Sequence, residues 1–324
     1  MSLGRQGDLV VGGALLRLPC FFPSVSSVKT NLRPVDYVEL LSGAGHPLYL
    51  VSAYDIANAD PEDQARIRTA LSRSRDGGAA ILLDSGNYEA YWRRDDTWAT
   101  EKFHAVSRAF ESDLCLCYDN QQPDHSVTAI ADDVIARLLR DQPHAAGTVV
   151  PIVHGRSDLL PAAARKVAEE LCPVILAVPE RVLGDGVFRR VSSVRRIRKA
   201  LDSLGSYFPL HLLGTGNPAS IISYSLAGAD SFDGLEWCQT AVDHRSGTLL
   251  HFHQWDFVRD QTVWGANGCL PYVQSVLMHN LEFYGRFMRE LQNALAAGCA
   301  GEVTAKYLSA QRAAALFSVI DGDE

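Results

Sequence analysis

Short apolar runs alternate along the chain with segments of helical periodicity, and this alternation is what most constrains the fold. The apolar runs cover residues 18–22, 48–51, 79–83, 114–118, 148–153, 174–178, 210–213 and 230–232. The helical segments between them include residues 61–75, 126–140, 158–171, 191–204 and 218–227. Nearly continuous apolar runs are typical of parallel strands that are buried on both faces. Eight strands alternating with helices predict an α/β fold of the (β/α)8 TIM-barrel type, with an open doubly wound sheet as the alternative.

The pattern changes after the last apolar run. Residues 238–268 are rich in Thr, His, Gly and Trp and lack a helical period, so they predict a small hairpin or loop insertion, which is a candidate zinc subregion. Residues 270–295 and 302–317 are amphipathic and predict two C-terminal helices. We therefore expect a single barrel domain over residues 1–324, decorated after its last strand.

Composition excludes several classes of protein. The chain carries 38 acidic against 30 basic residues, a net charge of −8, which excludes an overall basic nucleic-acid coat but allows a local basic patch. No apolar run approaches the roughly 18 residues that span a bilayer, so we expect no membrane segment, and the N-terminus does not resemble a signal peptide. Seven cysteines without a CxxC pair do not suggest a disulfide framework, so we expect a cytoplasmic protein.

Polar residues directly follow five of the predicted strands. They are Asp84, Asp119, His154, the turn with Gly214 and Gly216, and Asp233. In a barrel the carboxyl ends of all strands meet at one mouth, where catalytic groups lie. Each residue alone has a simpler explanation as a helix cap, a turn or a structural histidine, but five at one mouth favour a site. The carboxylates of Asp84 and Asp233 suit glycosidic chemistry, in which one attacks the anomeric carbon and the other handles protons.

Five sequence motifs occur in the order found in a known family. They are LPCFFPSVSSVKTNLRPVDY, LLDSGNYEAY, PIVHGRSDLL, HLLGTGNPASIISYSLAGADSFDGLEW and LMHNLEFYGRFMREL, which together cover most of residues 18–292. In these motifs the chain resembles the tRNA-guanine transglycosylase superfamily, and more narrowly its DNA-acting 7-deazaguanine branch. The resemblance implies a TIM barrel and a pentosyltransferase that exchanges guanine in nucleic acid for a 7-deazaguanine.

The resemblance implies roles for the two carboxylates. Asp233, in SFDGLEW, matches the aspartate that attacks C1′ of the ribose and forms a covalent intermediate. Asp84, in DSGN, matches the second aspartate, which acts in proton transfer during base exchange. Exchanging one glycosidic bond for another in this way needs no redox or nucleotide cofactor.

The resemblance also implies a base-binding pocket. Tyr88 matches the aromatic residue that stacks on the base, and Leu213 matches the residue on its opposite face. Asp119 matches the aspartate that binds the purine-like edge, and His154 stands where the family has a base-contacting glutamine. A carboxylate that accepts N–H donors beside a covering aromatic ring fits a guanine-like base. The other substrate-binding residues that we expect are Ser85 and Gly214.

Metal binding is the main departure from the family. The tRNA enzymes hold zinc with a CxCxxC motif and a later histidine, and here His279 stands at that histidine without a CxCxxC before it. Candidate substitute ligands for Zn²⁺ are His251, His253, Cys269 and Cys238, because zinc accepts imidazole and thiolate. The alternative is that His279 only packs or caps.

Other features bear on the partner. DSGN replaces the family's DSGG, and GLEWCQ replaces CVxPTR, which favours DNA over a tRNA anticodon. Tyr91, Trp92 and Trp98 are candidates for insertion into a duplex, although we expect at least one of them in the core. A basic run is a candidate for phosphate contact or a solvated outer face, and it comprises Arg189, Arg190, Arg195, Arg196, Arg198 and Lys199.

Three alternatives to a DNA transglycosylase remain open. The first is a tRNA-guanine transglycosylase proper, and the second is a non-catalytic barrel subunit that supports an active partner chain. The third is an unrelated barrel glycosidase that acts on sugars. Retention of both Asp84 and Asp233 argues against the second, and the base-stacking pair argues against the third. A homodimer or a helper protein such as an ATPase is open in each case.

Overall fold

The computed structural model describes residues 7–266, 268 and 270–322, and within them eight parallel strands form one sheet. The strands are β1 Cys20–Val25, β2 Leu48–Ser52, β3 Ala80–Asp84, β4 Leu114–Leu116, β5 Thr148–Val150, β6 Leu176–Pro179, β7 Leu210–Leu213 and β8 Ser231–Gly234. Their spatial order is β5-β4-β3-β2-β1-β8-β7-β6. A parallel bridge between Ile152 and Ala177 joins the two ends of that order. The predicted TIM barrel is confirmed, and the doubly wound alternative is wrong.

Helices cover the outside of the barrel and continue beyond its last strand. The α-helices of the described residues are Pro34–Gly43, Ala53–Asn58, Pro61–Asp76, Asn87–Arg93, Thr100–Ala109, Val127–Asp141, Leu160–Leu171, Val187–Asp202, Pro218–Ala227, Glu236–Gln239, Val263–Ala266, Tyr272–Ala296, Ala300–Leu308 and Ala310–Gly322. The 3-10 helices are Gln142–His144, Glu180–Val182, Phe252–Phe257 and Arg259–Gln261. The single helix predicted over residues 302–317 is two helices, because Ser309 between them takes a φ of 66° that a helix does not accommodate.

Two helices begin at a side-chain cap that precedes a proline. The Asp60 carboxylate accepts a hydrogen bond from the backbone N–H of Asp63 at 2.8 Å, directly before Pro61. Asn217 accepts in the same way from the N–H of Ala219 at 2.9 Å. Because Asn217 lies in the loop after β7, its cap helps to fix that loop at the mouth of the barrel.

A hairpin that the sequence analysis did not predict fills the bottom of the barrel. Its strands, Asp8–Val11 and Ala14–Arg17, pair antiparallel, and Leu16 is buried in one apolar cluster with Leu82 of β3. Gly12 turns the hairpin with a φ of 55°, and a Cβ there would lie 2.1 Å from a carboxylate oxygen of Asp113. The interior is thus filled from this end, and the polar strand ends lie at the other.

The segment after β8 forms the predicted hairpin and packs against the long C-terminal helix. The hairpin strands are Thr240–Val242 and Leu249–His251. Asn280, from helix Tyr272–Ala296, accepts a hydrogen bond from the backbone N–H of Val242 at 3.0 Å. Asn280 of the HNL motif therefore ties the hairpin to the long helix. None of the described helices is both long and apolar enough to cross a membrane.

Candidate active site

Asp233 lies near the end of β8 with its side chain at the mouth of the barrel, and the residue is 8% exposed. Its Oδ1 atom accepts a hydrogen bond from the backbone N–H of Gly214 at 3.1 Å and lies 3.2 Å from Nε2 of His211. Among the described residues, Oδ2 accepts from the Ser24 hydroxyl alone, at 2.8 Å. A carboxylate oxygen offers about two lone-pair sites. Oδ1 is therefore saturated, whereas Oδ2 keeps a lone pair for an electrophile.

His211 is a candidate that the sequence analysis missed. It lies inside β7, is 2% exposed, and its Nδ1 lies 2.8 Å from the hydroxyl oxygen of Ser231. The Cys20 thiol donates to the same hydroxyl at 3.4 Å, and burial raises the pKa of that thiol to about 12, so it keeps its proton. These partners assign the ring hydrogen to Nε2, which donates it to Asp233. The sequence could have indicated His211, because alternate residues of a strand point to the same face and His211 comes two residues before Leu213, which the resemblance assigns to the base pocket.

Asp84 ends β3 and faces the same mouth. Its Oδ2 atom accepts a hydrogen bond from the backbone N–H of Gly86 at 2.9 Å. Burial raises the pKa of Asp84 well above its usual value, and the negative charges of Glu89, Asp119 and Asp233 raise it further. Asp84 and Asp233 both lie at the carboxyl ends of their strands, so the barrel brings the two predicted carboxylates to one mouth. Asp84 therefore gives up its proton at a higher pH than an isolated aspartate does.

Asp119 follows β4 and is the centre of a hydrogen-bond network. Its Oδ1 atom accepts from the Asn87 amide at 2.6 Å and from the Ser85 hydroxyl at 3.5 Å. Its Oδ2 atom accepts from the Gln121 amide at 2.5 Å and from Nε2 of His154. Burial opposes ionisation, but the hydrogen bond and the charge of His154 outweigh it and lower the pKa of Asp119. The carboxylate is ionised with its acceptor sites in use, so a base edge must displace a donor, of which Ser85 is the most distant.

The residues that the resemblance assigns to the faces of the base border this mouth. Tyr88 lies in helix Asn87–Arg93, which begins directly after Gly86, and is 40% exposed. Leu213 ends β7 and is half-buried. The Tyr88 ring is thus partly accessible from solvent.

Glu236 is a second residue that the sequence analysis did not single out. Its Oε2 atom lies so close to two glycines that a Cβ would be 2.1 Å away at Gly216 and 2.5 Å away at Gly234. Burial raises the pKa of Glu236 to about 7, and the charge of Asp233 adds to the shift. The sequence could have indicated Glu236, because it lies in GLEWCQ, the segment after Asp233 that departs from the family pattern.

Two more buried carboxyl groups lie behind the mouth. Glu89 accepts hydrogen bonds from the hydroxyls of Ser26 at 2.6 Å and Ser52 at 2.8 Å. Burial, with the charge of Asp55, raises the pKa of Glu89 to about 7, and burial raises the pKa of Asp55 to about 6. The site therefore collects acids that exchange protons near neutral pH, which suits proton transfer at a glycosidic bond.

His279 does not fit a zinc ligand in this structure. The side chain is fully buried, with Nε2 at 2.8 Å from the carbonyl oxygen of Val242 and Nδ1 at 3.0 Å from the hydroxyl of Thr262. Both ring nitrogens thus have protein partners, and a metal would have to replace one of them. The geometry fits the alternative in which this histidine packs in the core.

The other proposed zinc ligands do not gather around it. His251 and His253 are exposed, with ring centroids 5.6 Å apart, and the Cys238 thiol is buried and donates to a backbone carbonyl. Cys269 lies outside the described residues. Within the part of the chain that is described, no group of three or more His, Cys, Asp or Glu is arranged to hold a metal. The prediction that the chain binds Zn²⁺ is tested by measuring the zinc content of the purified protein.

Part of the predicted basic run is engaged within the protein. Arg190 pairs with Glu180 at 2.8 Å, and Arg198 is buried beside Asp230 at 3.4 Å. These ion pairs engage the two guanidinium groups within the protein. The exposed members of the run are Arg189, Arg196 and Lys199.

The aromatic residues that follow DSGN divide into a buried and an exposed group. Trp98 is buried, and its indole N–H donates to the backbone carbonyl of Ser85 at 3.1 Å. Tyr91 and Trp92 are exposed. The expectation that at least one of the three lies in the core is confirmed.

Comparison with known proteins gives two relatives, although no family model matches. A tRNA-guanine(15) transglycosylase of Methanopyrus kandleri is 26% identical over 259 residues, which cover 76% of this chain and 54% of the relative. A tRNA-guanine(15) transglycosylase of Haloferax volcanii is 26% identical over 260 residues, which cover 76% of this chain and 49% of the relative. The chain spans about half the length of the curated relatives it matches. These matches support the tRNA-guanine transglycosylase superfamily and do not address the DNA-acting branch.

Proposed function

We propose that this chain is a base-exchange transglycosylase that replaces guanine in nucleic acid, DNA before tRNA, with a 7-deazaguanine. The observation that carries the proposal is the pair Asp233 and Asp84 at one mouth, one with a lone pair available on Oδ2 and the other with a pKa that burial raises well above its usual value. The similarity to guanine transglycosylases supports the substrate class. The covalent intermediate is a glycosyl ester on Asp233.

The first half of the reaction removes the old base. Oδ2 of Asp233 attacks C1′ as the bond from C1′ to N9 of guanine breaks, and the bonding electrons leave on N9. The proton that Asp84 holds neutralises the departing guanine, which leaves Asp84 as a carboxylate. The Gly214 N–H and His211 remain on Oδ1 and hold the ester in place.

The second half installs the new base. Asp84, now ionised, takes the N9 proton of the incoming 7-deazaguanine, and N9 attacks C1′ while the ester bond to Asp233 breaks. Both carboxyl groups return to their starting states, so atoms and charges balance without a redox or nucleotide cofactor. Two displacements at C1′ retain its configuration.

Base recognition uses the groups around Asp119. In this proposal Tyr88 and Leu213 cover the faces of the ring, and Asp119 with His154 reads its edge. Because the Asp119 oxygens are occupied by protein donors, binding releases one of them, and the Ser85 hydroxyl at 3.5 Å is the least costly to release. The site then distinguishes between bases by whether a base offers an N–H donor that takes the place of the Ser85 hydroxyl on Asp119.

The choice of polymer distinguishes two candidate substrates. DNA is favoured because DSGN and GLEWCQ depart from the pattern of the tRNA enzymes, and the second segment places Glu236 against Gly234, directly after Asp233. A tRNA substrate is the second candidate, favoured by the names of the two relatives. A non-catalytic subunit is disfavoured, since a scaffold has no use for a nucleophile held by several hydrogen bonds.

The test is exchange of labelled base into each polymer. The purified chain is incubated with DNA or tRNA and with labelled guanine or 7-cyano-7-deazaguanine, with and without host extract to supply a helper, and nucleosides are identified by mass spectrometry. We expect label in DNA, and no label with Asp233→Asn. Label only in tRNA selects the second candidate, and no label in either polymer with extract present overturns the proposal.

A further inference from the structure

We infer that Lys29, Tyr91, Trp92 and Arg94, here named the rim surface, bind the unpaired nucleic-acid strand that flanks the target nucleotide. The inference rests on the proposed function, since it names where that substrate lies outside the pocket. It goes beyond the pocket because none of these four side chains belongs to the base-exchange machinery described above.

Aromatic rings lead from the mouth to this surface. Tyr88 borders the base pocket, and its ring centroid lies 6.3 Å from that of Trp92. Trp92 lies 5.8 Å from Tyr91 in turn, and both contacts are edge-to-face. Tyr91 is 76% exposed and Trp92 47%. Clustered large rings left in water mark an interaction site, because folding alone would bury them.

Positive charge is built into the same place. The Lys29 ammonium lies 3.8 Å from the centroid of the Trp92 ring, a cation–π contact. Lys29 and Arg94 have φ values of 55° and 54°, in the left-handed region that non-glycine residues seldom adopt. Arg93 donates to the backbone carbonyl of Ser27 at 2.7 Å and so ties the helix to the loop that carries Lys29. The surface is therefore held in shape before any partner binds.

The exposed cations around the rings, Lys29, Arg93 and Arg94, outnumber the acids that follow them in sequence, Asp95 and Asp96, which favours an anionic partner. In the described part of the chain neither Lys29 nor Arg94 forms an ion pair, although the chain as a whole has a net charge of −8. Cations beside exposed rings are the combination that single-stranded nucleic acid uses, with phosphates on the cations and bases stacked on the rings. A protein that works on C1′ must also take its target nucleotide out of the stack. The neighbouring nucleotides are then unpaired at the rim of the mouth, where this surface lies.

The experiment measures binding and not turnover. The full chain carrying Asp233→Asn is titrated into a fluorescently labelled single-stranded DNA, and fluorescence anisotropy gives the affinity at low and moderate salt. Trp92→Ala together with Tyr91→Ala is expected to weaken binding at least about fivefold, since stacking on each ring contributes that much or more. The single variant Trp92→Phe keeps an aromatic ring and should retain most of the affinity of the unsubstituted rim surface. Lys29→Ala should make the association constant less dependent on salt, so that the slope of its logarithm against the logarithm of the salt concentration becomes about one unit less negative.

Leu139→Ala is the matched control, because it removes a 58% exposed apolar side chain from a helix on the outer face of the barrel and should leave binding unchanged. Equal affinity for the native rim and the double alanine variant overturns the inference. So does a change in oligomeric state with unchanged DNA binding, since the rings would then contact a protein. Failure of base exchange leaves these measurements intact, so the inference and the proposed function can fail separately.

Discussion

The Nε2 atom of His211 lies 3.2 Å from Oδ1 of Asp233, and both side chains are buried at the mouth of the barrel. His211 therefore holds the carboxylate by one oxygen while the other faces the site. A hydrogen bond to a charged partner restrains the rotation of the carboxylate and selects which oxygen reacts. We therefore expect His211 to position Asp233.

Replacing Asp233 by Asn is expected to abolish base exchange and leave the fold intact. Asn keeps the shape, and its single oxygen can take the place of Oδ1 and accept from the Gly214 N–H while its NH2 group donates to the Ser24 hydroxyl oxygen, but an amide is not a nucleophile. Loss of a covalent nucleophile costs a factor on the order of 10⁴ or more in rate. Exchange of labelled guanine is measured beside the thermal unfolding midpoint, and undiminished exchange would falsify the assignment of the nucleophile.

Replacing His211 by Ala is expected to lower kcat and leave KM nearly unchanged. A hydrogen bond to a charged group contributes about 1.5–3 kcal/mol, so kcat should fall by a factor of about 10 to 100. His211→Gln carries an N–H of similar reach and should recover part of the rate. A rise in KM with unchanged kcat, or no difference between the two variants, would show that His211 does not orient Asp233.

Replacing Glu89 by Gln is expected to change how stability depends on pH. The pKa of Glu89 is raised to about 7, so the folded protein holds this proton more tightly than the unfolded chain does. The stability from this group is fully present below the unfolded pKa and is lost as pH rises through about 7. Relative to the native protein, Glu89→Gln should therefore gain stability between about pH 5 and about pH 8.

Urea unfolding of both proteins at the two pH values checks this difference. The exposed Asp96→Asn is the control, because a side chain in water should show no such gain. An equal stability difference between Glu89→Gln and the native protein at both pH values would contradict the buried-acid interpretation.

Replacing Gly234 by Ala is expected to destabilise the protein and impair catalysis. The new Cβ would lie 2.5 Å from Oε2 of Glu236 and 2.6 Å from the backbone nitrogen of Gly216, so backbone must move beside Asp233. Overpacking of this kind costs about 1–3 kcal/mol. Gly43→Ala, with no atom within 4 Å of the added carbon, is the control. Equal free energies of unfolding for the two variants would show that the backbone around Gly234 accommodates the added carbon at no cost in stability.

The barrel could be predicted from the sequence because each strand is buried on both faces and so is a nearly continuous apolar run. The same reasoning found Asp84, Asp119 and Asp233, which are polar residues where such runs stop. The bottom hairpin was missed because its four-residue strands alternate buried and exposed positions, which is too short a pattern to recognise.

His211 was missed for a different reason. It lies within a strand, where a polar residue breaks the apolar run without marking an end, and only the neighbouring strand supplies Asp233 and Ser231. The zinc expectation for His279 came from a motif position alone. Its actual partners, Val242 and Thr262, are distant in sequence, so no local pattern could identify them.

The bridge that joins β5 to β6 has a consequence for how the barrel moves. Hydrogen bonds from Val153 to Ala177 and from Ala177 to the carbonyl of Pro151 hold this junction, whereas β8 lies between two laddered neighbours. Backbone amide hydrogens should therefore exchange faster at the junction of β5 and β6 than beside Asp233. His154 comes directly after this junction. We therefore expect larger backbone fluctuations in the wall of the barrel that carries His154 than in the wall that carries Asp233.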